Sequence, residues 1–268
     1  MAIREISFIK TPVNYKDIRK NPIQFMAVNH SADKKVYVIS DIHGDFDGFM
    51  AMLKTINFTY DDEMYILGDV IDRGPDGIKC LQYIMKHKNI HMILGNHELI
   101  MYDALFDQSG IPHWCERNGG YPTLLAFMAL NKQEQADIID FINSLPLSYN
   151  ITVGDRTVTL CHASNPAWFK DYINYDNIIE KYYNIVDYAV WYRGEFEFAP
   201  KNSGDVIIGH TPTLNFMDGS CKDPYSPIIF QGEGTNVVDI DCGNAYKEID
   251  SRCRLCCLYI NEMEVNFI

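Results

Sequence analysis

The sequence predicts an α/β fold, and three observations point to it. Between Lys35 and Phe106, a short apolar strand, a glycine-containing loop and a segment of helical spacing follow one another three times. That is the pattern of a parallel sheet. Charged and polar residues cluster directly after each of these strands, where open α/β sheets place their ligands. The end of the chain is again rich in strands, which implies a second sheet packed on the first. With 268 residues, 47% of them hydrophobic, the chain can bury one sizeable core.

The elements follow in order. Residues 1–34, with Pro12, Pro22 and mixed polar character, read as an irregular N-terminal extension packed on the domain. Residues 35–268 read as one folded domain without repeats or linkers. Its first strand is Lys35 to Ser40, followed by a turn carrying Asp41, His43 and Gly44. A helix from Phe46 to about Ile56 places Phe46, Phe49, Met50 and Leu53 at helical spacing. The second strand, Glu63 to Leu67, leads through the Gly68-to-Gly74 loop to a helix from Asp76 to about His87. The third, Ile90 to Leu94, leads through Gly95-Asn96-His97-Glu98 to a helix ending at Phe106. An Asn118-Gly119-Gly120 loop and a helix near Lys132 to Asn143 come next. Tyr149 to Val153 and Arg156 to Cys161 form a hairpin across Gly154-Asp155. The polar and aromatic stretch from Ser164 to Lys201 reads as helix and loop near the site. Strands return at Asp205 to Ile208, Pro227 to Phe230, Asn236 to Ile240 and Arg254 to Ile260.

Composition excludes some classes of function. A net charge of −13 argues against tight binding to a nucleic-acid backbone. Met1 to Lys10 lacks the apolar run of a signal peptide, and no segment approaches the ~20 apolar residues that span a bilayer. The eight cysteines, several within apolar strings such as Leu255-Cys256-Cys257-Leu258, read as reduced, buried thiols in a cytoplasmic protein. Cys253 and Cys256 form a Cys-x-x-Cys pair that Cys242 and Cys257 could complete on paper as a zinc site. The strand character of the segment favours burial instead.

Six residues at strand ends carry most of the information: Asp41, His43, Asp69, Asn96, His162 and His210. Each alone has a bland reading as a cap or a hydrogen-bonded residue. Together they offer carboxylate, imidazole and amide ligands, the set suited to two divalent ions. Two such ions can hold a bridging hydroxide and polarise a phosphoryl group. Arg73 follows Asp72 and is placed to bind phosphate oxygens; Arg193 is a second candidate, with a surface salt bridge as its rival reading. His97 can protonate a leaving alkoxide, with Asp72 orienting its imidazole. Glu98 reads as structural, anchoring the loop or a helix N-terminus. His30, His87, His91 and His113 read as structural or surface residues. Tyr172, Tyr175, Tyr182 and Tyr183 read as core packing, with a substrate groove as the alternative.

These strings resemble those of the metal-dependent phosphoprotein phosphatases, within the calcineurin-like metallophosphoesterase superfamily. The similarity is to the bacterial and phage branch typified by the bacteriophage lambda phosphatase. It runs from about Lys35 to Gly243 and includes His113-Trp114, Asn118-Gly119-Gly120, His162-Ala163, Trp191 to Arg193, Gly209-His210-Thr211-Pro212 and Ile240-Asp241-Cys242-Gly243. The first motif departs from the family by opening with Ser40 where Gly is usual. The resemblance implies two mixed β-sheets packed as a sandwich flanked by helices, with residues 35–268 as the catalytic domain. It implies one metal on Asp41, His43 and Asp69 and another on Asp69, Asn96, His162 and His210. Mn²⁺ is the expected activating ion, with Fe, Zn or Mg as alternatives. Asp72 and His97 match the family's acid dyad, and Arg73 and Arg193 its phosphate-binding arginines.

The function implied is a metal-dependent phosphomonoesterase, acting on phosphoserine or phosphothreonine and on phosphotyrosine as a further substrate. A metal-bridging hydroxide attacks directly and His97 serves as general acid. The partner expected is a phosphorylated protein or peptide; nucleic acid and membrane are not expected. An alternative is a dinucleoside polyphosphate hydrolase acting on diadenosine tetraphosphate. Enzymes of that kind usually lack Asp at the position of Asp72 and carry Asp where Glu98 stands. A catalytically silent binding module is the third reading, disfavoured because no ligand or acid is missing.

Overall fold

The computed structural model describes residues 25–169, 184–193, 201–202, 204–216, 223, 225–232 and 234–268. Its strands form two mixed sheets. The five-stranded sheet contains β2 (Val36–Ile39), β3 (Glu63–Ile66), β4 (Ile90–Met92), β10 (Cys256–Tyr259) and β11 (Glu264–Phe267), in the order β11-β10-β2-β3-β4. The six-stranded sheet contains β1 (Met26–His30), β5 (Ser148–Val153), β6 (Arg156–Cys161), β7 (Gly204–Ile208), β8 (Ile228–Gly232) and β9 (Thr235–Asp239), in the order β1-β5-β6-β7-β9-β8. Strands β2, β3 and β4 run parallel, as do β6, β7 and β9.

Side-chain alternation explains the sandwich. Val36 and Val38 face the inter-sheet core, with Tyr65, Leu67, Ile151, Val158, Leu160, Ile207 and Val238. Their neighbours Tyr37 and Ile39 face the other way, into a core shared with α1 (Phe46–Thr55), α2 (Gly77–Lys86), α3 (Asn96–Phe106), α4 (Tyr121–Ala129) and α5 (Lys132–Ser144). A third cluster packs α6 (Ile185–Trp191) on the outer face of the six-stranded sheet through Tyr188, Cys161, Val206 and Ile208. Both faces of the parallel strands are covered, as strands apolar on both faces require. Asp45 caps α1 by accepting from the Gly48 amide at 3.1 Å.

The α/β fold of two mixed sheets is as the sequence predicts, and three elements differ. Residues 26–30, inside the segment read as an irregular extension, form β1 and pair parallel with β5 across Met26–Tyr149 to His30–Val153. Strand β11 closes the other sheet against β10. Helix α4 occupies part of a region with only one anticipated helix, because its composition is apolar on several sides and shows no clean stripe. The tyrosines at 172, 175, 182 and 183 lie outside the described residues. Every described cysteine is free, and the described clusters with metal-ligating geometry contain none of them. No described helix is long and apolar enough to cross a membrane.

Candidate functional site

The carboxyl ends of the two parallel triplets meet at one end of the sandwich. The loop after β2 supplies Asp41 and His43, the loop after β3 supplies Asp69, Asp72 and Arg73, and the start of α3 supplies Asn96, His97 and Glu98. From the other sheet, β6 leads directly to His162 and β7 leads to His210. Backbone bonds stitch these loops together. The His43 amide donates to the Asp69 carbonyl at 2.9 Å, and the Gly209 amide to that of His162 at 2.9 Å.

The loops are strained at the residues that matter. Asp41, His43, Asp69, Asp72, Arg73 and His210 all adopt left-handed backbone, with φ between 48° and 72°. Such conformations cost about 1–3 kcal/mol each and persist where the surroundings enforce them. One enforcer is Glu98, fully buried, whose carboxylate accepts the amides of Asp69 (2.9 Å), Val70 (2.9 Å) and Ile71 (3.3 Å). Gly95 is the other: a Cβ there would overlap the Asp69 backbone and carboxylate. Glu98 thus anchors the loop, as its position suggested. Burial, and then the negative charge of Asp69, push its pKa up to about 8 against the pull of those amides.

Asp69 lies between two groups of ligand atoms. One is His43, Asp69 and His97; the other is Asp69, His162 and His210. Next to the first, Asp41 Oδ1 is 4.0 Å from His43 Nε2, and Asp69 Oδ2 is 3.8 Å from it. In the second, His162 Nε2 is 2.9 Å from Asn96 Oδ1, 3.2 Å from His210 Nδ1 and 3.4 Å from Asp69 Oδ1. The structure therefore brings all six strand-end residues together. It also places His97 among the ligand atoms of the first group.

These residues fit divalent cations on three counts. Asp41 Oδ1 and His210 Nε2 are buried without a hydrogen-bond partner, an arrangement that costs free energy unless something meets them. His43 Nδ1 and His162 Nδ1 pair with the carbonyls of Ile71 (3.1 Å) and Leu67 (2.6 Å), which turns each Nε2 lone pair toward the carboxylates. Burial, then the positive charge of Arg73 and His97, holds His43 well below the ordinary imidazole range. Burial, then His162 and Arg193, does the same to His210. Neutral imidazole is the ligating form. Asp69 moves the other way: burial opposes ionisation, but four surrounding imidazoles hold its carboxyl below the usual range.

Beside these groups stands a buried His–Asp pair. His97 Nδ1 is 2.7 Å from Asp72 Oδ2, and both side chains are buried. Burial alone would lower the His97 pKa; the charge of Asp69 and the hydrogen bond and charge of Asp72 outweigh it, and the net shift is upward. Trp114 adds what the sequence reading gave no role: its fully buried indole N–H donates to the same Asp72 oxygen at 2.9 Å. Gly120 makes room for that indole, which any side chain at 120 would overlap. The His113-Trp114 and Asn118-Gly119-Gly120 strings were the available signal. Arg73 Nη2 lies 3.3 Å from His97 Nε2, and its backbone amide donates to the Gly119 carbonyl at 2.9 Å. Arg193 Nη1 donates to Thr211 Oγ1 at 3.0 Å and to the His210 carbonyl at 3.3 Å, on the opposite flank. Glu98 and Asp72 are both acidic and buried, but Glu98 accepts backbone amides whereas Asp72 pairs with the His97 imidazole.

Comparison with known proteins agrees with this geometry. The calcineurin-like phosphoesterase family model matches residues 34–227. The chain is 51% identical over 65 residues to a symmetrical bis(5'-nucleosyl)-tetraphosphatase of Wigglesworthia glossinidia brevipalpis, a match covering 24% of each chain. It is 26% identical over 151 residues to serine/threonine-protein phosphatase 2 of Salmonella typhimurium, covering 56% of this chain and 67% of that one. The chain thus spans about a quarter of the first relative's length. Among solved structures, a putative diadenosine tetraphosphatase superposes with a TM-score of 0.57 at 16% identity, covering 90% of this chain and 96% of the other. A cold-active protein-tyrosine phosphatase of a Shewanella species superposes with a TM-score of 0.54 at 17% identity, covering 91% and 83%. Both likenesses are of fold. Because the family match from 34 to 227 takes in every strand end that contributes a ligand-type side chain, the chain belongs to the calcineurin-like phosphoesterase family.

Proposed function

We propose that this protein is a metal-dependent phosphomonoesterase acting on phosphoserine and phosphothreonine in proteins or peptides, with phosphotyrosine as a further substrate. The observation that carries the reading is the buried His97–Asp72 pair at 2.7 Å. An ester leaves as an alkoxide and needs a proton in the transition state. The leaving nucleotide of a polyphosphate is a stable anion and needs none. A site that builds an acid is therefore better matched to esters than to anhydrides.

Asp41, His43 and Asp69 would hold one divalent ion, and Asp69, Asn96, His162 and His210 the other, with Mn²⁺ as the proposed activating ion. When bound, such ions lower the pKa of water and polarise the phosphoryl group. The chain's own groups do the rest. Arg73 and Arg193, on opposite flanks, bind and orient the phosphoryl oxygens. His97 holds a proton on Nε2 and delivers it to the leaving oxygen. Asp72 fixes the ring through Nδ1, and Trp114 fixes Asp72. Free, buried thiols support a cytoplasmic location.

A second reading has a specific observation behind it: the 51% identity over 65 residues with a symmetrical bis(5'-nucleosyl)-tetraphosphatase. Rates on a phosphothreonine peptide and on diadenosine tetraphosphate decide between them. They should be measured side by side on chelator-stripped protein given Mn²⁺, Mg²⁺, Zn²⁺ or nothing. Metal-dependent turnover that favours the peptide is expected. Preference for the dinucleotide would reverse the assignment.

A further inference from the structure

Arg73 has two neighbours with different chemistry. Its Nη2 lies 3.3 Å from His97 Nε2, and its Cζ lies over the ring of Tyr246, 5.6 Å from the centroid. The three side chains run from a buried imidazole to a partly exposed ring. His97 is 1% exposed, whereas Tyr246 is 36% exposed. The residue sits on an anchored turn. Gly243, with φ of 81°, turns the chain into the short helix Asn244–Tyr246. Asn244 Nδ2 then donates to the Ile42 carbonyl at 2.9 Å, between Asp41 and His43. One residue beyond Tyr246, Lys247 Nζ pairs with Asp45 at 2.5 Å. Tyr246 is thus an aromatic surface on an anchored support, fixed to the same loop that carries the first ligand group. A partly exposed aromatic ring on an anchored turn presents a flat face, with only two side-chain torsions to order.

We propose that Tyr246 is the wall against which an aromatic leaving group packs, so that a site built for alkyl phosphate esters also takes aryl esters, phosphotyrosine among them. The inference rests on the phosphomonoesterase reading and accounts for its phosphotyrosine arm. His97 protonates the leaving oxygen from the Nε2 side, and Arg73 occupies that side. The group attached to the oxygen therefore leaves past Arg73, against which the partly exposed ring of Tyr246 stands. An aromatic leaving group can stack there; a serine or glycerol leaving group gains little.

The test compares wild type, Tyr246→Phe and Tyr246→Ala with Mn²⁺, on phenyl phosphate and on β-glycerophosphate. Each variant is normalised to wild type on the same substrate, which cancels the intrinsic difference between leaving groups. Tyr246→Ala should lose about 3- to 10-fold in kcat/KM on phenyl phosphate. It should change little on glycerophosphate, and Tyr246→Phe should retain both activities. Equal losses on both substrates would show that the ring only positions Arg73, and would overturn the proposal, as would no loss on either. A second measurement is independent of turnover: affinities of the Mn²⁺-loaded protein for phenylphosphonate and methylphosphonate by calorimetry. Wild type should prefer the phenyl compound and Tyr246→Ala should lose that preference. Equal affinities in wild type would overturn the proposal. If wild type hydrolysed neither ester while the phenyl preference stood, the phosphomonoesterase reading would fail and the role of Tyr246 would survive.

Discussion

The two flanks of the site are held by different means. On the Asp41–His43 flank, the ligand groups sit in loops forced into left-handed backbone at 41, 43 and 69. Their geometry depends on Glu98, which gathers three amides, and on Asn244, which takes the Ile42 carbonyl. On the His162–His210 flank, the side chains extend from parallel neighbours β6 and β7, whose register pairs Leu160 with Ile207. Only His210 is left-handed there. The first flank is imposed on loops by buried polar groups; the second is inherited from a sheet. The first should therefore fail when a single anchor is removed, and the second should not.

The largest expected effect tests whether the flanks are one site at all. Asp69 belongs to both ligand groups. In Asp69→Asn, binding of both ions should weaken, so that Mn²⁺ stoichiometry falls on both flanks at concentrations that saturate wild type. Electron paramagnetic resonance titration reads this directly. A variant that still binds one ion with wild-type affinity would show that Asp69 serves one flank only.

Next comes the anchor itself. Glu98→Ala leaves three buried amides without an acceptor and should cost about 3–5 kcal/mol in urea unfolding of the metal-stripped protein. Glu98→Gln should also destabilise, since one carboxylate oxygen takes Asp69 and the other takes Val70 and Ile71, leaving no place for an amide NH₂. The matched change on the sheet-built flank is Ser164→Ala, which removes one hydrogen bond to the Tyr188 hydroxyl at 3.0 Å. It should cost about 1 kcal/mol. Similar costs for the two alanine variants would erase the contrast.

Legibility in the sequence follows the same division. The regular part of the first flank was readable because apolar runs such as Val36–Ile39 and the periodic helix Gly77–Lys86 are local patterns. The six ligand-type residues were readable because each follows such a run. Edge strands were not: Met26–His30 is largely exposed and forms only because β5 is there to pair with it. Contacts made across long sequence separation were also hidden. The Trp114 indole reaches Asp72 from 42 positions away, and Tyr246 meets Arg73 only once the ends of the two sheets converge. A motif can mark such residues, but only packing supplies their partners.

His97 lies where the contrast can be sharpened, because it sits among the ligand atoms yet is engaged by Asp72. His97→Asn should retain Mn²⁺ stoichiometry while turnover of alkyl phosphates falls roughly 10²-fold. Loss of an ion in this variant would place His97 with the ligands of the first flank and leave the acid unassigned.

The smallest effect is a displacement along the pH axis. A general acid works while protonated, so with His97 in that proposed role activity should be present below its pKa and lost as pH rises through it. In the folded protein that pKa lies above the ordinary imidazole value. Burial pulls it down, but Asp69 and the bond and charge of Asp72 more than compensate. Asp72→Asn removes the two Asp72 contributions, so the alkaline limb of kcat/KM should move to lower pH. The acidic limb, set by other groups, should stay in place. Asn can still accept from His97 Nδ1 through its carbonyl, and the Trp114 N–H competes for that same oxygen, so ring orientation is partly kept while the charge is lost. The shift thus reads electrostatics apart from positioning. An alkaline limb that stays in place, or moves upward, would mean that Asp72 orients the ring without setting its proton affinity.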